Sequence, residues 1–159
     1  MDRHLNLRFV CLASLIMFQG GCFQFAEVDS THSPLYAPMI GRTFELREEF
    51  LVYGIKRPDQ KSPEPDFILI MPPPTIGGHL ILDLGRMPAG SRFQIVGVVT
   101  RRSKLFPSTE YVISFANRSI SQTEGKQVRI NATSTWHLYV KPASAEEPPQ
   151  LNELYFRPI

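Results

Sequence analysis

Cysteine is nearly absent from this chain: two residues, Cys11 and Cys22, among 159. That excludes the disulfide framework by which small secreted domains compensate for a thin core. Histidine occurs four times, and His32, His79 and His137 lie too far apart for a local metal-binding pair, so the sequence offers no metal site. Neither sign of charge dominates: 17 Lys and Arg stand against 15 Asp and Glu, a net of +2. A nucleic-acid partner is therefore not expected, since such binders carry a basic patch or stripe. The N-terminal apolar run, residues 9–18, falls short of the roughly 20 residues that cross a bilayer as a helix. Gly77-Gly78 and Gly85 lack the spacing and the lysine of a phosphate-binding loop, and no G-x-S-x-G elbow occurs. No cofactor is expected.

What is present is a foldable chain, 43% hydrophobic and 20% charged, sized for one domain. Its 14 prolines all fall at or after residue 34. With 11 phenylalanines, they point to short strands and turns. The first 22 residues differ in texture. Arg3 and Arg8 precede the apolar run, and Gln19-Gly20-Gly21 leads into Cys22. A basic start, a short apolar stretch and small residues at a cleavage point describe a secretory signal.

Gly20-Gly21-Cys22 resembles the lipobox of bacterial membrane lipoprotein precursors, although Gln19 stands where an aliphatic residue is usual. The resemblance covers the signal and the acceptor only. It implies cleavage by signal peptidase II, a thioether-linked diacylglycerol on Cys22, and an amide-linked acyl chain such as palmitate. One acyl chain anchors only marginally, whereas two or more hold stably. Phe23 replaces the aspartate that commonly retains such proteins in the inner membrane, so the resemblance implies the periplasmic face of the outer membrane in a two-membrane cell.

The expected organisation is a signal peptide at 1–21, a lipid-anchored tether at 22–39, a β-domain at 40–141, and a proline-rich stretch with a docking C-terminal segment at 142–159. Pro34 and Pro38 disfavour helix in the tether, with Leu35, Tyr36 and Met39 as the alternative start of the domain. Strands are expected at 43–47, 50–55, 67–71, 79–84, 92–99, 110–116, 127–132 and 135–140. In the strand 92–99, Phe93, Ile95, Gly97 and Val99 are expected on one face. Seven or eight short strands suggest a mainly β fold, a small barrel or a sandwich. Residues 87–98, where Pro88-Ala89-Gly90 launches an alternating strand, resemble bacterial SH3-like barrels. Leu151, Leu154 and Phe156 are expected to dock the C-terminal segment back onto the domain.

Catalytic candidates are few. Glu48-Glu49 would point to opposite faces if in a strand, and Glu110 with Asp83 is the other acid pair. No catalytic residue is assigned. The surface offers Arg101, Arg102, Lys104 and Phe106, a basic loop with an aromatic tip suited to an acidic partner, an anionic glycan or a lipid headgroup. Trp136 and Tyr139 form a second candidate contact, of the residue types that anchor interfaces. The leading expectation is a non-enzymatic, lipid-anchored binding or scaffold module for an envelope protein or cell-wall component. An envelope inhibitor or accessory subunit is the alternative, and an envelope hydrolase the third.

Overall fold

A computed structural model describes residues 26–58, 61–74, 77–102, 108–115, 125–133, 139–140 and 144–159, with backbone alone for Arg102, Tyr139 and Val140. Among the described residues there is no α-helix. The strands are β1 (Ala26–Asp29), β2 (Thr43–Leu46), β3 (Phe50–Ile55), β4 (Phe67–Met71), β5 (Ile81–Met87), β6 (Arg92–Arg102), β7 (Ser108–Phe115), β8 (Val128–Asn131), β9 (Tyr139–Val140), β10 (Gln150–Leu151) and β11 (Phe156–Pro158). The protein is mainly β, as its β-branched and aromatic runs require. β3 (FLVYGI) and β4 (FILIM) are apolar at every position and are covered on both faces, the pattern of a strand with no solvated side.

Nine strands form one mixed sheet in the order β11-β2-β6-β7-β8-β4-β3-β5, with β1 also paired to β6. β9 and β10 pair separately. Within the large sheet β4 runs parallel to β8 and the other neighbours are antiparallel. The sheet is not closed into a barrel, which corrects the closed form of the expectation: β11 and β5 are its two ends and do not pair. Both ends resist further pairing. β11 finishes on Pro158, which has no N–H to offer. β5 is kinked at Gly85, with φ of 119° and its N–H taken by the Asp83 carboxylate at 2.9 Å.

β6 organises the sheet by having two neighbours on one flank. Residues 92–94 pair with β2 and residues 99–102 with β1. A bulge between Ile95 and Gly97 separates the halves. It leaves Val96 as an extra residue, 43% exposed, and turns Val98 rather than Val99 into the core. The simple alternation expected over 92–99 therefore slips by one residue, as a bulge must cause. Gly97 leaves space there: a Cβ would stand 3.1 Å from Thr31 Oγ1, the atom that accepts a hydrogen bond from Val98 N.

The larger core lies on one face of the sheet, and a smaller cluster of Leu51, Tyr53 and Met71 forms on the other side of β3 and β4. Phe156 packs against Phe50 (5.3 Å between centroids) and edge-on to Phe93 (5.9 Å). Phe44 stacks on Phe93 at 5.8 Å, the offset and edge geometries that aromatic pairs favour. Leu151 and Phe156 are buried, and β11 pairs with β2, so the C-terminal segment is part of the sheet. The buried Tyr111 hydroxyl donates to Pro149 O at 2.5 Å and ties down the preceding chain. At the other terminus lies the stretch 22–39 expected as a tether, with Leu35, Tyr36 and Met39 as the alternative start of the domain, and it is described from residue 26 onward. Residues 26–29 are a strand, and Tyr36 and Met39 are core residues. Turn hydrogen bonds from Ser33 N to Ser30 O and from Met39 N to Tyr36 O give the proline-flanked segment an ordered path without helix or long strand.

Candidate functional site

Successive strand residues face opposite sides. Tyr111 and Ile130 face the core, so their neighbours Glu110 and Arg129 face the other side of the sheet. There the residues that the register places together are charged. Glu27 of β1 lies opposite Arg101 of β6, and Arg129 of β8 reaches toward both β7 and β1. Arg129 Nη1 donates to Glu110 Oε2 at 3.0 Å and stands 3.3 Å from Glu27 Oε2. Its Nε and Nη2 donate to Gln127 Oε1 at 3.2 and 2.9 Å. Its guanidinium carbon sits 4.1 Å over the centre of the Phe67 ring. Arg101 Nη2 donates to Glu27 Oε1 at 3.1 Å and lies 3.6 Å from Glu110 Oε1. From the end of β3, Arg57 Nη2 donates to Glu27 Oε2 at 2.5 Å. Its own backbone N–H is fixed by the Asp66 carboxylate.

Three guanidiniums thus meet two carboxylates, and the group is graded from inside to outside. Arg129 and Glu110 side chains are each 6% exposed, and Arg57 is 48% exposed. Removing an ion from water costs several kcal/mol, so a buried pair persists only when its remaining donors and acceptors are also satisfied. Here they are, by Gln127, by the aromatic face and by the second carboxylate. The planar fork of arginine suits such multiple contacts in a way that a lysine ammonium does not. Burial pushes the Glu27 carboxyl up. The Arg101 hydrogen bond and the charges of Arg129, Arg57 and Arg101 outweigh it, and the group is held below the usual glutamate range. Both carboxylates are fully engaged by cations. The arrangement fastens β1, β6, β7, β8 and the end of β3 together.

Arg101, expected as a free surface cation, is one of these partners. Arg102 is placed at the end of β6 opposite Ala26. Tyr139 is in β9 opposite Leu151, a different sheet from Arg101. Cys22, Lys104, Phe106 and Trp136 lie outside the described residues. The acid pairs do not converge. Glu49 pairs with Arg86 at 2.8 Å, and Glu110 is held by Arg129 whereas Asp83 holds Gly85. Among the described residues no three His, Cys, Asp or Glu side chains group as metal ligands would. Among the described residues no helix is long and apolar enough to cross a membrane.

Sequence reasoning missed Glu27, Arg57 and Arg129. Glu27 fell in the expected tether, and its partners lie 30, 74 and 102 residues away. The one local signal was Arg129 itself, a charge set between Val128 and Ile130 in an apolar strand. No family model matches the chain, and neither the curated proteins nor the solved structures contain a match.

Proposed function

We propose that the chain is a lipid-anchored envelope lipoprotein whose β-domain is a non-enzymatic binding or scaffold module. The observation that carries the reading is Gly20-Gly21-Cys22 at the end of a basic start and a short apolar run. β1 is described from Ala26, four positions after Cys22, so acyl chains on Cys22 would hold the sheet near the bilayer surface. Phe23 after the acceptor favours the outer membrane, periplasmic face, where two membranes exist. Within this reading, residues 87–98 are the SH3-like turn and strand. The likeness is supported by Gly90 at φ of 83°, a conformation open to glycine, and by the buried alternation of Phe93 and Ile95.

The proposed partner loop and the proposed anchor both attach to the end of the β1–β6 ladder where Ala26 meets Arg102. Ala26 pairs with Arg102, and Arg101 with Ser108. Residues 103–107, which join β6 to β7, are therefore connected at the end where the chain from Cys22 arrives. Arg102, Lys104 and Phe106 are the proposed contacts for an envelope protein or cell-wall glycan, with Trp136 and Tyr139 as the second surface. Arg101 supports the strand beneath them.

Metabolic labelling with palmitate tests the anchor. The parent chain should label and Cys22→Ala should not; a labelled Cys22→Ala chain would end the lipoprotein reading. Mild crosslinking followed by co-purification tests the module. A recovered envelope partner that is lost with the Arg102→Glu, Lys104→Glu double variant supports it, and equal recovery by that variant removes the loop from the interface.

A further inference from the structure

The first ten described residues are fastened mainly by polar contacts. None of residues 26–35 is buried; Leu35, partly buried, touches the core at the end of the segment, and the first buried core residue is Tyr36. β1 has four residues, lies at the flank of β6, and pairs on one side only. What holds it is its backbone ladder, the Ser30 and Thr31 contacts with β6, and one carboxylate, Glu27, gripped by Arg57, Arg101 and Arg129. Edge segments that bury little apolar surface are the ones that open locally while the rest of a domain stays folded.

We propose that residues 26–35 are a releasable strap, in which β1 is locked to β6 by Glu27 and can open while the sheet from Tyr36 onward remains intact. The biological consequence rests on the Cys22 anchor proposed above. Closed, the anchor lies four positions before Ala26, a stretch of at most about 14 Å at about 3.5 Å per extended residue. Open, the leash runs from Cys22 to Tyr36 and spans about 50 Å by the same measure. The two states carry the domain at two heights above the bilayer. This also explains why a segment with the composition of a tether is ordered: its fastening comes from remote arginines. The seat the strap leaves holds the free edge of β6 with three arginines against Glu110 alone.

Amide hydrogen exchange on the chain reads the strap without relying on lipid. Ser30 N donates to Val98 O and Gly41 N donates to Ile95 O, so two amides report the same strand on either side of the hinge. In Glu27→Gln, exchange at Ser30 should rise by about tenfold or more while Gly41 is unchanged, the signature of local opening. Arg57→Gln removes one contact from a half-exposed residue and should give the same pattern with a smaller rise. Unchanged exchange at Ser30 in both variants would overturn the proposal, and so would equal acceleration at Ser30 and Gly41, which would make β1 open only with the whole domain. Energy transfer from a dye on the domain to a bilayer dye then reads the height. A greater distance in the lipidated Glu27→Gln chain supports the leash. If exchange behaves as expected but the chain takes up no palmitate, the strap stands and the anchor reading fails; if labelling occurs with unchanged exchange, the reverse holds.

Discussion

The two terminal segments of the domain dock on the same sheet by opposite means. At the C-terminal side, Leu151 and Phe156 are buried among aromatic rings, and the ladder of β11 on β2 follows from that packing. The exposed contacts of Glu45 with Arg92 and Arg157 lie outside it, and ion pairs of that kind add little. At the N-terminal side no apolar residue of β1 is buried, and Glu27 among three arginines provides the specific contact. Apolar burial is insensitive to protonation and tolerates no loss of volume. A carboxylate held by guanidiniums tolerates changes of shape better, but it depends on charge. The same sheet therefore has one edge fixed by volume and one by ionisation.

The largest test of that contrast is Phe156→Ala, which should cost about 3 to 5 kcal/mol by opening a cavity beside Phe50 and Phe93, read as a drop in the denaturant midpoint. Arg129→Leu comes next. It leaves Glu110 buried with only Arg101 near it, and removal of one partner from a buried pair costs about 3 kcal/mol. Unlike Phe156→Ala, it should lose much of its effect when Glu110→Gln is added, since the uncompensated charge is then gone. A weaker effect separates the two edges by pH. Because Glu27 is held below its ordinary value, its contribution is present above the usual glutamate pKa of about 4.3 and disappears as pH falls through its lowered value. Exchange at Ser30 should rise on acidification, relative to the intrinsic rate, before that at Tyr155, whose amide donates to Asn152 O. The smallest effect is a control: Leu154, 75% exposed, should accept serine within about 0.5 kcal/mol.

Much of this sheet was legible from residue patterns that act locally. β3 and β4 are marked by unbroken apolar runs between polar or proline-bearing segments, and both occupy the expected residues. β6 was visible as a strand, but its phase beyond Ile95 was not, because nothing in Val96-Gly97-Val98 announces which residue the partner strand will leave unpaired. Sheet closure was not legible either, since it depends on which distant strands become neighbours. β1 was the hardest element. AEVD carries no periodicity, and its stability lies in arginines placed beside it by β6, β8 and the end of β3. Charge networks across a sheet are long-range facts, and a single sequence offers no local signature of them beyond an unexpected arginine inside an apolar strand.

β11 has a consequence for the time course of folding. The strand that seats Phe156 between Phe50 and Phe93 is the last in the chain, and it pairs with β2 more than a hundred residues earlier. The β6–β7 hairpin can form as soon as it is synthesised, because its partners adjoin. The aromatic centre cannot, because Phe156 is synthesised after Phe44, Phe50 and Phe93, the rings it joins. Until that ring arrives, Phe50 and Phe93 lack one of their packing partners, and incompletely covered apolar surface of that kind is what makes folding intermediates prone to aggregate.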